Sequence, residues 1–215
     1  MTEVEGVVKF QLHWRPGPAP DAAEIAELES WRRRFRALGV LGQEPGRYGG
    51  VGFGNLSRRS GAGFWITATQ SGALRQLGPE GYSRVESWDL AANAVWATGP
   101  AQPSSEAMSH AAAYDRRPEA AWVFHVHAPE LWRAATHLGL PATAADIAYG
   151  TPAMAEAVAA IVAPAALPCV LQMRGHEDGI LAVGTTAAST GSALLRAMAM
   201  AAAEIPAQPS RALRR

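Results

Sequence analysis

The chain has 215 residues, 48% hydrophobic and 18% charged, with 19 Lys+Arg against 19 Asp+Glu and so no formal net charge. That balance suits one globular unit with a sizeable core; it excludes intrinsic disorder and lacks the basic excess that a nucleic-acid or anionic-membrane reader needs. Lys9 is the sole lysine and Cys169 the sole cysteine, which removes Schiff-base and Walker A chemistry, intrachain disulfides and Cys-rich zinc motifs, so a metal site must use His and carboxylates.

In chain order, the start Met1-Thr-Glu-Val-Glu-Gly6 is acidic and carries no basic or apolar signal region, which predicts a cytoplasmic protein. Asp21 and Glu24 form a capping pattern for a first helix, and Ile25, Leu28, Trp31, Phe35 and Leu38 fall on one face of it. Short β-like runs follow at 51–58, 64–70, 82–89 and 94–98, separated by Gly and Pro clusters. The second half alternates: a helix over 105–114, a strand 121–127, helices 129–137 and 152–162, strands 169–173 and 180–183, and a final helix 186–204. The apolar stretch 157–171 carries Pro164 and Pro168 and falls short of the roughly 20 residues of a membrane helix. Strands alternating with helices predict an α/β fold with helices on both faces of a sheet, and the β-only stretch before them argues against a purely parallel one. A single domain is expected over 1–215, with its motifs in 20–205 and a Pro-rich basic tail at 206–215 expected to fray.

The sharpest chemical signal is Phe124-His125-Val126-His127-Ala128-Pro129. Residues i and i+2 of a strand project from one face, so both imidazoles can meet one metal ion; two solvated or hydrogen-bonded histidines at a strand end fit the pattern equally well. His176, on a Gly-flanked turn before the next strand, is the third imidazole such a site lacks, or an ordinary turn residue. Three His ligands would leave the open coordination position of a catalytic site. Glu106 follows Pro103-Ser104-Ser105 at a helix start, where a Ser cap and a dipole-favoured acid explain it structurally. In the functional alternative the Ser hydroxyls bind an anion and Glu106 acts as acid/base, with His110 one turn on able to orient it or simply to pack. The glycines of 48–58 and of Thr67-Ala-Thr-Gln-Ser-Gly72 allow close backbone approach to a ligand, or merely bends. His125, His127 and Glu130 also resemble the start of a cupin metal motif, but Glu130 opens a helix and too few strands remain for a jelly roll.

The ordered set Gly54-Asn-Leu-Ser57, Ile66-Thr67 with Ser71-Gly72, Pro103-Ser-Ser-Glu106 with His110, Tyr114 and Arg117-Pro118, then His125-x-His127-x-Pro129, Tyr149-Gly-Thr-Pro152 and Gly175-His176 resembles the class II aldolase/adducin family over about Gly50 to Leu195. The resemblance implies a three-layer α/β/α sandwich around a largely antiparallel sheet, and a homotetramer with active sites between subunits. It implies one divalent transition metal per subunit, most often zinc with Mn, Fe or Co as alternatives, on His125, His127 and His176. Glu106 falls at the catalytic acid/base position, and Asn55, Ser71, Gly72, Ser104 and Ser105 where family aldolases hold a substrate phosphate. The implied reaction is Lewis-acid-assisted retro-aldol cleavage of a small sugar-type hydroxy-ketone, with or without phosphate. Relatives use the same site for dehydration, epimerisation or decarboxylation, and adducin-like scaffolds keep the fold without catalysis. Neither nucleic acid nor a membrane is an expected partner.

The chain departs from the family pattern at four points. Gly52 stands where sugar-phosphate aldolases often place Thr, the 67–72 turn is longer, two residues separate His176 from Gly179, and the tail has no tyrosine. Tyr149 is the nearest candidate for an aromatic lining or proton donor.

Overall fold

A computed structural model describes residues 7–204. Eight strands form one sheet: β1 (Gln11–Pro16), β4 (Asn55–Ser60), β5 (Gly63–Thr67), β6 (Tyr82–Asp89), β7 (Ala94–Gly99), β8 (Trp122–His127), β9 (Cys169–Gln172) and β10 (Gly179–Gly184). Their order is β1-β7-β6-β5-β4-β8-β10-β9, and two short strands, β2 (Gly42–Gln43) and β3 (Gly52–Phe53), pair separately. Every pairing within the large sheet is antiparallel except β1 with β7. Among the described residues five α-helices accompany it: α1 (Ala22–Ala37), α2 (Ala107–Arg116), α3 (Pro129–Ala134), α4 (Pro152–Val162) and α5 (Ala187–Glu204).

Strand alternation sorts the core into two clusters. Phe64, Ile66, Val123, Leu181 and Val183 pack with Met108 and Ala112 of α2 and Met154 and Val158 of α4. Their neighbours Trp65, Phe124, Val126, Ile180 and Ala182 pack with Leu28 and Phe35 of α1, Leu131 of α3 and Leu194 of α5. Period-two projection makes these opposite faces of the sheet. Leu28 and Phe35 are fully buried, each contributing about 1.5–3 kcal/mol by leaving water. The Asp21/Glu24 capping box forms at the start of α1, and Thr151 caps α4 by accepting from the Met154 N–H at 3.2 Å.

Several boundaries differ from the sequence expectation. Leu38 lies one residue past α1 and is exposed, because the chain has left the helix before the apolar face comes round again. The run 51–58 is split at Gly54 into β3 and β4, and 129–137 yields only the short α3. Strand β1 was not foreseen; Leu12 and Trp14 are only half-buried, on an edge. The tail 206–215 lies outside the described residues. Among the described residues no helix is long and apolar enough to cross a membrane.

Candidate metal centre

His125 and His127 leave β8 on the face opposite to Phe124 and Val126, as the alternation requires. His125 lies opposite Asn55 of β4 on one side and Leu181 of β10 on the other, so its ring rises from an inner strand of the sheet. The chain between β9 and β10 turns back through hydrogen bonds from the His176 N–H to the Met173 carbonyl (3.0 Å) and from the Gly179 N–H to the His176 carbonyl (3.0 Å). That turn delivers the third imidazole. Ring centroids lie 5.0 Å apart for His125 and His127, 5.0 Å for His125 and His176, and 4.7 Å for His127 and His176. One nitrogen from each ring lies within 4.8 Å of the other two, and all three residues are buried. His125 donates its Nδ1–H to the Ile180 carbonyl at 3.2 Å, which turns Nε2 inward toward the other two rings.

Glu106 completes the cluster. It occupies the N-cap position of α2, where a Ser was expected, yet its carboxylate makes no capping bond. Instead Oε2 lies 3.0 Å from His125 Nε2 and Oε1 2.9 Å from His176 Nδ1, with the residue 1% exposed. Burial pushes the Glu106 carboxyl up, but His125 and His176 beside it outweigh that and hold it well below the ordinary carboxylate range. Burial likewise drives His127 well below the usual histidine value, so it stays neutral and able to ligate. Three imidazoles and a carboxylate buried together are a donor set suited to a divalent transition metal.

One turn along α2, His110 is fully buried, and burial lowers it to about 3. Its Nδ1 shares a 2.6 Å hydrogen bond with Ser57 Oγ, which in turn lies 2.8 Å from the Tyr114 hydroxyl. Of the two roles open to His110, orienting Glu106 or packing, its side-chain bond goes to Ser57, and its Nε2 makes no hydrogen bond among the described residues.

Asn55, Ser71, Gly72, Ser104 and Ser105 line one small pocket. Ala68 bridges to Pro103, and the Thr69 N–H donates to the Gln102 carbonyl at 3.0 Å, which brings the two segments together next to Glu106. The Asn55 Oδ1 atom is buried there without a partner. The Ser104 N–H is given to the Thr67 carbonyl at 3.2 Å and its hydroxyl accepts from the Glu106 N–H at 3.3 Å, so this residue ties the pocket to the start of α2. The departure at Gly52 also finds its reason. A Cβ on Gly52 would stand 3.1 Å from Gly72 N, and one on Gly72 only 2.1 Å from the Gly42 carbonyl oxygen, so backbone packs closely on backbone here and a larger residue at 52 would press on the Gly72 main chain. Arg32, 1% exposed, tethers the same turn by donating to the carbonyls of Ser71 (2.8 Å) and Leu74 (2.7 Å).

Tyr149 reaches the cluster through its ring, stacked on His176 at 4.4 Å. Lys9, set aside on sequence grounds, lies with Nζ 3.8 Å from the same ring and donates to the Tyr149 carbonyl at 3.0 Å. Glu130 is exposed on α3 and absent from the histidine cluster, so the cupin-like motif has no counterpart in space. Sequence reasoning missed Arg47, Tyr48 and Asp178. Tyr48 sets its ring 4.5 Å from that of His127, and its hydroxyl donates to Asp178 Oδ2 at 2.6 Å while accepting from Arg47 Nη2 at 2.8 Å. The two residues inserted between His176 and Gly179 were the only available hint.

The family model for the Class II Aldolase and Adducin N-terminal domain matches residues 47–203. Among solved structures the chain is similar to L-fuculose-1-phosphate aldolase from Thermus thermophilus, with 20% identity, TM-score 0.64, and coverage of 85% of this chain and 92% of that one. It is also similar to YgbL from Escherichia coli, a candidate aldolase/epimerase/decarboxylase (18% identity, TM-score 0.64, 89% and 92% covered). A sugar-phosphate aldolase from Thermotoga maritima aligns at 14% identity and TM-score 0.61, covering 87% and 97%. Identities this low speak for the fold alone. No curated protein matches the sequence.

Proposed function

The chain belongs to the class II aldolase and adducin family, and from that premise we propose that it is a divalent-metal-dependent lyase. Its substrate is a small sugar-type hydroxy-ketone, cleaved at a carbon–carbon bond by retro-aldol chemistry. The observation that carries this reading is Glu106: a buried carboxylate at a helix start that caps nothing and lies 3.0 and 2.9 Å from two of three clustered histidines. An assembly scaffold has no use for that arrangement.

His125, His127 and His176 would hold the metal, most readily zinc, with Mn, Fe and Co as the other candidates. When bound, the metal supplies Lewis-acid polarisation of the substrate's oxygens. The chain's residues do the rest. Glu106, held ionised, accepts a proton at one carboxylate oxygen and returns it to the product fragment. Asn55, Ser71, Gly72, Ser104 and Ser105 hold the far, polar end of the substrate, and the orphaned Asn55 Oδ1 supports a ligand hydrogen-bond donor there. Tyr149 backs the site by packing on His176. The wider reading is a single cytoplasmic domain in an α/β/α sandwich, assembled as a homotetramer; the two core clusters on opposite faces of the sheet support the layering.

Metal content per subunit, measured beside that of His125→Ala, tests the reading. About one equivalent of a divalent transition metal, lost in the variant, supports it; no metal, and no uptake on reconstitution, would move the chain to the scaffold reading. Phosphorylated and free hydroxy-ketones screened on the loaded protein then separate the two substrate types.

A further inference from the structure

Tyr48 and Asp178 are 130 positions apart, yet they form one of the shortest side-chain bonds at the site, 2.6 Å from hydroxyl to carboxylate. Each end of that bond is attached to a different histidine of the cluster. Tyr48 places its ring edge-on to His127 at 4.5 Å, and Arg47, which donates to the Tyr48 hydroxyl, also reaches the His127 carbonyl at 3.5 Å. Asp178 stands on the same tight turn as His176, and its carbonyl accepts from the Ala128 N–H at 2.9 Å, directly after His127. Arg47 is anchored in turn by donating to the Gly39 carbonyl at 2.9 Å and by lying over the Phe53 ring at 4.4 Å.

The backbone at both residues lies in the left-handed region. Tyr48 has φ 48° and Asp178 φ 61°, two of the four non-glycine residues with positive φ among those described. Such positions persist where the surroundings over-determine them, and they gather at ligand sites. Asp178 is one of the two residues between His176 and Gly179, so that turn supplies the acceptor that Tyr48 uses.

We propose that Arg47, Tyr48 and Asp178 form a clamp that holds His127 and His176 at the spacing one shared metal ion requires. Tyr48 and Asp178 are positioning residues and not ligands: the Tyr48 hydroxyl is engaged by both neighbours, and Asp178 is not part of the histidine cluster. The inference rests on the metal reading above and adds how this chain keeps the ion.

The test is the rate at which a chromophoric chelator strips cobalt(II) from the loaded protein, followed with the cobalt absorption spectrum. Tyr48→Phe keeps the ring against His127 and deletes the bond; Asp178→Gly deletes the acceptor while tolerating the positive φ. Each is expected to release metal about 10- to 100-fold faster, the range for groups that orient ligands. Asp178→Asn keeps an acceptor oxygen and should release at the wild-type rate. The Tyr48→Phe/Asp178→Gly double variant should be no faster than either single one, since both remove the same bond. Unchanged release in Tyr48→Phe, multiplicative effects in the double variant, or a lowered melting temperature of the metal-free protein with release unaltered would overturn the clamp. A cobalt spectrum changed in Asp178→Asn would overturn it too, by making Asp178 a ligand. A wild-type chain that takes up no cobalt removes this inference together with the metal reading; uptake with unaltered variants removes the clamp alone.

Discussion

Lowering pH should destabilise the metal-free chain through His110, by an amount the structure allows to be worked out. Burial, opposed by Glu106, lowers this imidazole from 6.5 to about 3. A group whose folded value is depressed binds fewer protons folded than unfolded between the two values, so stability is complete above the unfolded value and is lost as pH falls. At pH 5 the unfolded chain has protonated this histidine almost fully while the folded chain has not. The loss between pH 7 and pH 5 is then about 2 kcal/mol, from 1.36 kcal/mol per unit. The figure is insensitive to the exact folded value, since pH 5 lies well above it. Urea unfolding at pH 7 and pH 5, in chelator, measures it for the wild type and for His110→Gln. The variant loses the 2.6 Å bond to Ser57 and starts lower, but its decline over the same interval should be smaller by about 2 kcal/mol. Equal declines in the two proteins would mean that His110 takes up its proton without unfolding. The burial argument would then be wrong.

Glu106→Gln should keep the metal while turnover falls by about 10²–10⁴, the usual contribution of a general acid/base; undiminished turnover in steady-state assays would remove Glu106 from the chemistry. Gly175→Ala should disturb the His176 turn, because the added Cβ would stand 1.8 Å from the Ile147 carbonyl oxygen and 2.6 Å from its carbon. An overpacked contact of this kind costs about 1–3 kcal/mol, read as a lower melting temperature together with reduced metal occupancy. A variant with wild-type values for both would show that the turn has room to move.

Much of the site was legible because it rests on local periodicity. A His-x-His at a strand end must present both rings to one face, and in the structure it does. The first helix could be read from Asp21 and Glu24 because capping is decided within a single turn. His176 and Glu106 stood out from their place on a Gly-flanked turn and at a helix start, and the family motifs added the residues of the small pocket. Leu38 shows where periodicity stops: it continues the helical stripe in sequence, but the chain has already turned away. Strand β1 was overlooked because only its pairing with β7, 83 positions on from Gln11 to Ala94, identifies it as part of the sheet.

Amino-acid order alone determined the chemistry available to this protein: no lysine or cysteine catalysis of the usual kinds, several imidazoles, and one carboxylate at a suggestive helix start. Tertiary structure decided what those groups are to one another. It turned the Glu106 carboxylate away from its helix and toward His125 and His176, and it explained Gly52 by the backbone of Gly72 pressed against it. It also joined Tyr48 to Asp178 across 130 positions. Such contacts depend on how layers pack and where turns end. No rule of local spacing encodes them, because the energies that select them are summed over the whole folded chain.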